Sequence, residues 1–409
     1  MNSDEIEIAV ESVAQGGRGF ARIAGKATFI VGGLPGERVV ARIKRRHAQY
    51  DEAEVLSVLE SPHRHAPCSH AAECGGCDWM RWSEEGALQA KSELVRHDLE
   101  HVFGSLFSAW HEPAASPQAV GYRSRITLKL GEGAVGYYAQ GTHELVSIDD
   151  CLVAVEPIRR ALMPLRADAR RLTEAGVEEV ELRAHPADDK PLAIFKGRMR
   201  GKPPHLGYLR GIAIRNRTFG DCRLTYRVNG VELVAGPRSF TQVNLAVNES
   251  LVGAVVDLAA GATHLVDSYG GMGNFGIPLA HAGKNVLVLE GSAHAVRDGM
   301  ANAARHGLSL QWREVPEAEM GAAWQDAGFP STATLLLDPP RAGARRFLKN
   351  LFTSGLRPAH IIYVSCEPST LVRDLRTLAD QGYQIDWVRC FDMFPQTHHV
   401  ETVVRLRVA

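Results

Sequence analysis

Apolar positions along the chain fall into three textures. Over residues 5–60 they alternate with polar ones in short runs: EIEIAVESV, RGFARIAG, KATFIVGG, ERVVARIKRR and DEAEVLSVLE. Gly16-Gly17, Gly25, Gly32-Gly33 and Pro35-Gly36 break these runs. Such alternation predicts β-strands joined by turns, and five strands over about 55 residues suit a small OB-like barrel. Further on, EEGALQAKSELVRHDLEHVF spaces its leucines and valines three to four apart, which predicts a helix. Residues 120–235 read as irregular β structure, with many Gly and Pro. From about 236 the runs THLVD, NVLVLE, LSLQW, TLLLD and HIIYVS alternate with helical stretches, as in a doubly wound, mostly parallel sheet. The expected parts are thus residues 1–61, 62–235 and 236–409, without internal repeats or low-complexity segments.

Composition adds little to this division but excludes some classes. With 409 residues, 45% of them apolar and 23% charged, the chain has the make-up of an ordinary globular protein of two or three domains. The amino terminus, MNSDEIEIAVES, is acidic and polar, unlike a secretory or transit segment. No apolar run approaches the roughly 20 residues of a membrane span. A cytoplasmic location is expected, where seven cysteines serve as thiols or metal ligands rather than disulfides. Net charge is −1, yet residues 190–217 carry Lys190, Lys196, Arg198, Arg200, Lys202, Arg210, Arg215 and Arg217 and no acid. RIKRRH, from Arg42 to His47, is a smaller basic cluster. Such patches can neutralise phosphates, although a solvated face is the commoner fate of either alone.

Cys68, Cys74 and Cys77, in CSHAAECGGC, have the spacing C-x5-C-x2-C. Three thiols so close can converge on a metal, with Gly75 and Gly76 easing the turn. Cys151 is the best candidate for a fourth ligand and Cys222 the second. Four cysteines suit structural zinc as well as a 4Fe-4S cluster, though the spacing matches no zinc finger.

In HLVDSYGGMGNFGIPLA a strand enters a helix through Gly271, Gly273 and Gly276, a G-x-G-x-x-G turn. Glu290 ends the next strand, where an acid can hold ribose hydroxyls. Taken alone this could be a nicotinamide site. Asp267, directly before the loop, suits a cationic ligand better than a pyrophosphate and favours S-adenosylmethionine. LLLDPPRAG places Asp338 and Arg341 at the sheet's carboxyl edge on a segment stiffened by two prolines.

Cys366 ends the fifth strand, facing the same crevice. A lone strand-end cysteine is usually just buried; here the helix of PSTLVRDL would direct its amino-terminal dipole at the thiol and favour thiolate, while Glu367 would oppose that. In FDMFPQTHHVETVVRL, any of Glu401, His398 and His399 could be a general base. One chemistry uses all these parts, the methylation of a pyrimidine at carbon 5. A thiolate adds to carbon 6, carbon 5 becomes nucleophilic enough to take a methyl group, and a base then removes the carbon 5 hydrogen.

In FTQVN, DSYGGMGNFGIPLA, VLEGS, DPPRAG, YVSCEPSTLVRDL and DMFPQTHHVE, taken in order, the chain resembles the bacterial RNA uracil-5-methyltransferases of the iron–sulfur branch. The likeness covers almost the whole length. It implies a multidomain α/β protein: a TRAM-type OB barrel, a central iron–sulfur domain, and a Rossmann-like class I S-adenosylmethionine-dependent methyltransferase domain. It further implies Cys366 as nucleophile and Glu401 as base. Gln242, Tyr269, Asn274 and Glu290 match cofactor-binding positions, and Asp338 matches one at the junction of cofactor and base. Cys68, Cys74, Cys77 and Cys151 match the ligands of a 4Fe-4S cluster.

The family usually reads SCNP where this chain has SCEP, and a cysteine where this chain has Gly270. A polar cofactor contact around REVPEAE has no clear counterpart. The expected substrate is RNA, with 23S rRNA favoured and tRNA the runner-up, and no membrane or obligate protein partner is expected. The uridine must be flipped out to reach Cys366, with the barrel and the 190–217 stretch gripping the surrounding backbone. The rival readings are an NAD-dependent oxidoreductase, which leaves Cys366 and Glu401 without a joint task, and a non-catalytic RNA-binding iron–sulfur protein.

Overall fold

The computed structural model of the protein describes residues 4–408. Contacts divide it into two compact units. One takes the chain up to His97 with Tyr137–Val146 and Phe394–His399; the other takes Asp98–Gly136, Ser147–Met393 and Val400 onward. The expected boundary at 61 falls inside the first unit and that at 235 inside the second.

The amino-terminal sheet has six strands: β1 (Glu5–Ala9), β2 (Ser12–Val13), β3 (Gly19–Ile23), β4 (Lys26–Val31), β5 (Arg38–Arg46) and β6 (Tyr50–Glu60), in the order β1-β5-β6-β4-β3-β2. One strand more forms than alternation suggests, because Ser12-Val13 pairs with Gly19-Phe20. Register shifts let the long β5–β6 pair bend, and Ile8, Val10, Ala21, Ile30, Val39, Ala41 and Ala53 fill the interior. A turn-rich cysteine segment and helix α1 (Glu84–Phe103) follow.

The middle of the chain is more regular than its Gly and Pro content suggests. Strands β7 (Arg125–Gly131), β8 (Ala134–Tyr138), β9 (Leu145–Ser147), β10 (Val177–Arg183), β11 (Leu192–Gly197), β12 (Gly211–Ile214) and β13 (Arg217–Gly220) form one sheet, ordered β13-β12-β11-β10-β7-β8-β9. Helix α2 (Glu156–Glu174) covers it, burying Ile158, Ala161, Leu162, Leu165, Ala169 and Leu172 along one face. That three-to-four spacing is present in the sequence, but Pro164 inside the helix disguises it. A hairpin of β14 (Leu224–Val228) and β15 (Val231–Ala235) turns at Asn229-Gly230, both at positive φ as its two-residue turn requires.

Helix α3 (Leu245–Leu258) leads into the last sheet. It contains β16 (His264–Ser268), β17 (Asn285–Glu290), β18 (Gln311–Glu314), β19 (Thr334–Leu337), β20 (His360–Ser365), β21 (Tyr383–Phe391) and β22 (Glu401–Val408). Helices α4 (Gly276–His281), α5 (Ala293–Arg305), α6 (Met320–Asp326), α7 (Arg345–Thr353) and α8 (Pro368–Ala379) connect the strands. The order is β18-β17-β16-β19-β20-β22-β21, parallel except for β22, which runs antiparallel to both its neighbours. Four of the five anticipated apolar runs coincide with strands; of LSLQW only Gln311 and Trp312 fall in a strand, which continues to Glu314. The strand order reverses between β16 and β19, so a ligand crevice is expected at the carboxyl ends of these strands. Among the described residues, no helix is long and apolar enough to cross a membrane.

Candidate active site

The antiparallel pairing of β20 with β22 brings two expected residues together. Ser365 pairs with Thr402, so continuing the register by one residue sets Cys366 opposite Glu401. Cys366 is half-buried, while Glu401 is 4% exposed and its Oε2 has no hydrogen-bond partner. His398 and His399 belong to the first unit, where the His398 ring pairs with the Asp78 carboxylate.

Charge at this edge is poorly compensated. Burial pushes the Cys366 thiol up to about 12; the Glu401 carboxylate adds to the shift, Arg341 opposes it and Asp338 adds again. Burial therefore outweighs the lowering that the backbone around the start of α8 supplies, and the opposing acid is Glu401 rather than Glu367. The Glu367 carboxylate accepts instead from Ser369 Oγ at 2.9 Å. Glu401 is raised well above the ordinary carboxylate range by burial and then by Asp338, with Arg341 opposing. Asp338 retains some accessible surface, yet the protein packed around it raises it to about 7.

Asp267 closes β16 as a fully buried acid and is pushed up to about 8 by burial, then by Asp338; the Gly276 amide opposes these effects, and Glu290 adds to them. Its two oxygens and Ser268 Oγ are buried without well-formed hydrogen bonds, while the Tyr269 hydroxyl faces the Glu317 carboxylate. Such orphaned groups cost about 1–3 kcal/mol each unless a ligand meets them. A buried acid beneath the glycine loop suits a cationic ligand and disfavours a pyrophosphate.

Other expected residues divide into those already held and those open to a ligand. Glu290 stabilises the loop, since Oε2 accepts from Gly271 N at 2.9 Å and Oε1 from Ser292 N at 2.7 Å. Asn274 exchanges two 2.9 Å hydrogen bonds with Asn248, and its Oδ1 also accepts from the Tyr226 hydroxyl at 3.2 Å. Gln242 is buried. Tyr269 adopts a left-handed φ of 61°, and burial, then the nearby Glu317 carboxylate, raises its phenol. Glu317 is the REVPEAE residue beside the site, and it also accepts from Phe347 N at 3.1 Å.

Sequence reading missed the residues that hold these groups in place. Asp374, fully buried on α8, accepts from Ala344 N at 2.6 Å and from the Tyr363 hydroxyl at 2.7 Å. It thereby ties down the loop that carries Asp338 and Arg341. Asn248 and Tyr226 do the same for the glycine loop. Both lie in ordinary amphipathic runs, so only their contacts reveal them.

Cys68, Cys74 and Cys77 stand in the first unit and are partly exposed. Gly76 N donates to Cys74 Sγ at 3.4 Å. Gly75 N donates to Tyr138 O at 3.1 Å, an approach so close that a Cβ there would come within 2.7 Å of the same oxygen. Cys74 and Cys77 border an open recess of about 650 Å³. Cys151 is buried in the second unit, its amide donating to Asp150 Oδ1 at 2.7 Å. Cys222 donates to Phe219 O at 3.8 Å as an ordinary buried thiol. Among the described residues, no three His, Cys, Asp or Glu side chains already converge as a metal site.

A parallel sheet with an antiparallel β22, a glycine loop and acids at its carboxyl edge defines a class I methyltransferase. The crystal structure of Pyrococcus abyssi tRNA (uracil-54, C5)-methyltransferase in complex with S-adenosyl-L-homocysteine shares this fold, with a TM-score of 0.76 and 23% identity over 98% of this chain and 100% of that one. The family described as tRNA (Uracil-5-)-methyltransferase matches residues 221–408, and the TRAM domain matches residues 1–56. A 23S rRNA (uracil(1939)-C(5))-methyltransferase RlmD of Pseudomonas fluorescens is 32% identical, covering 97% of this chain and 92% of its own. The enzyme of that name from Nitrosococcus oceani is 33% identical over 98% and 96%. The chain belongs to this family of RNA uracil-5-methyltransferases, with an amino-terminal TRAM domain.

The glycine at 270 can be tested directly. A Cβ there would sit 2.5 Å from Val288 Cγ1 and 2.9 Å from the Asp267 carboxyl carbon. Gly270→Cys should therefore lose about 1–3 kcal/mol in denaturant unfolding. Adding Val288→Ala should recover part of that loss, and an undiminished midpoint in the single variant would refute the packing account.

Proposed function

We propose that this protein transfers a methyl group from S-adenosylmethionine to carbon 5 of a uridine in RNA, with 23S ribosomal RNA as the substrate. The observation that carries the proposal is the placement of Cys366 opposite Glu401 at the carboxyl edge of the last sheet, with Asp338 close enough to act on both. The named relatives support 23S rRNA, and the tRNA enzyme that shares the fold makes tRNA the alternative. When bound, S-adenosylmethionine supplies an electrophilic methyl group on a cationic sulfur.

Gln242, Tyr269, Asn274, Glu290 and Asp338 would form the cofactor crevice. The buried Asp267 carboxyl, with no cation beside it, fits a ligand bearing positive charge. Cys366 adds through its sulfur to carbon 6 of the flipped uracil. Glu401 removes the hydrogen from carbon 5 after methylation, the sulfur–carbon 6 bond breaks as the ring double bond re-forms, and Cys366 leaves as thiolate. The Cys366 thiol holds its proton near neutral pH in the unliganded protein and burial raises Glu401 as well, so Arg341, which draws both toward the charged form, helps activate them.

Two outcomes test these roles. Cys366→Ala should abolish methyl transfer and any covalent RNA adduct. Glu401→Gln should let the methylated adduct accumulate on denaturing gels, and adduct levels equal to wild type would remove Glu401 from that role.

The acids also predict a pH dependence. A cation favours the ionised form of Asp338 and Asp267, whose unliganded values are about 7 and about 8. Protons must leave for it to bind, so affinity for S-adenosylmethionine should rise from pH 6 to about 8 and then level off. S-adenosylhomocysteine, which lacks the sulfonium charge, should show a weaker rise in calorimetric titration. Parallel profiles for the two ligands would count against the assignment.

We also propose that Cys68, Cys74 and Cys77 are thiolate ligands of a 4Fe-4S cluster, with Cys151 as fourth ligand on the strength of the family resemblance. The all-sulfur donor set and the Gly76 amide aimed at Cys74 Sγ support this reading. Protein purified without oxygen should be brown and lose its colour on Cys77→Ser, whereas stoichiometric zinc would contradict iron.

A further inference from the structure

The basic stretch 190–217 is not uniformly available to a partner. Lys196 pairs with Glu179 at 3.5 Å and with Glu181 at 3.6 Å, Arg198 with Glu178 at 3.5 Å, and Arg210 with Asp188 and Asp221, each at 3.1 Å. Arg215 and Arg217, at the β12–β13 turn, form no ion pair among the described residues, and both are exposed. They lie next to a second set of cations. Arg238 donates to Arg215 O and Asn216 Oδ1, and its Nη1 approaches His294 Nε2 at 2.5 Å. From the other side, Arg297 Nη2 approaches His294 Nδ1 at 2.5 Å.

That arrangement cannot satisfy itself. A neutral imidazole has one lone-pair nitrogen, so only one of the two guanidinium groups can hydrogen-bond to it. The other N–H faces an N–H, and protonating the ring makes the conflict worse. Loss of solvent, then Arg238 and Arg297, pull His294 below its ordinary value, against Asp298 and Glu314. Asp298 does not relieve the cations, because its Oδ2 already accepts from Gly236 N at 2.8 Å and Ser239 Oγ at 2.5 Å. An anion with several acceptor oxygens would serve both guanidinium groups at once, and guanidinium forks match a phosphodiester. Its location points to the same partner: Ser292, two residues before His294, donates to Glu290 of the cofactor crevice.

We infer that Arg215, Arg217, Arg238, His294 and Arg297 form a docking site for a backbone phosphate of the substrate RNA. This deepens the reading of the protein as an RNA methyltransferase and rests on it. Each phosphate neutralised releases counterions, with a salt slope of about 0.7 per contact on a single strand.

The test uses the full chain and a fluorescently labelled single-stranded RNA containing uridine. Affinity is measured by anisotropy across a KCl series. Arg238→Gln/Arg297→Gln should weaken binding and reduce the slope of log Kd against log[KCl] by about one. Arg297→Lys should keep the slope, as should Arg198→Gln, whose arginine is equally exposed but paired with Glu178. S-adenosylhomocysteine affinity, which does not involve these groups, should stay at the wild-type value in every variant. A wild-type slope in the double variant, or no RNA binding by the wild type, overturns the docking site. Methyl transfer to an rRNA transcript is scored separately, so a wild type that binds RNA with the expected slope but transfers nothing would refute the catalytic reading alone.

Discussion

The chemistry of this protein depends on acids placed where water is scarce and counter-charge is sparse. Asp267, Asp338 and Glu401 each close or open a strand at one edge of the last sheet, and burial raises all three. Cys366 stands among them as a protonated thiol. Concentrating like-signed groups in this way is unfavourable in an empty site. It becomes favourable once a cationic ligand enters, so the unliganded state is held ready by electrostatics rather than by an existing bond. The single cation that offsets these acids, Arg341, is carried on the same proline-stiffened segment as Asp338.

Support comes from residues with no part in the chemistry. Asp374 accepts from the Ala344 amide and the Tyr363 hydroxyl, and so holds the segment bearing Asp338 and Arg341. Asn248 and Tyr226 hold the amide of Asn274. β22 contributes in another way. Because it runs antiparallel to β20, the start of one strand meets the end of the other, and residues 35 positions apart in sequence become neighbours across a ladder.

What was legible in the sequence follows from how local each signal is. The five parallel strands announce themselves as short apolar runs, and the glycine loop and DPPRAG place their acids by strand-end position alone. Helix α2 is hard to see in the sequence because Pro164 interrupts an otherwise regular apolar face, and the Gly and Pro of the sheet it covers mimic irregular structure. The thiol environment was misjudged for a different reason. The dipole of α8 and the charge of Glu367 are visible in sequence, whereas burial and the carboxylate of Glu401 reach Cys366 only through tertiary packing. The basic stretch likewise reads as one patch, yet Lys196, Arg198 and Arg210 face acids on neighbouring segments while Arg215 and Arg217 at its far end do not.

The first unit is assembled from three separate lengths of chain, the last of them Phe394–His399, lying between two strands of the other unit's sheet. It therefore cannot be detached or exchanged by one cut. A protein ending at His97 would lack Tyr138, whose carbonyl receives the Gly75 amide, and Gln396, whose carbonyl receives the Trp79 amide. A gene shuffled at that point would lose both, so this barrel and its cysteine loop are inherited as a package with the catalytic sheet.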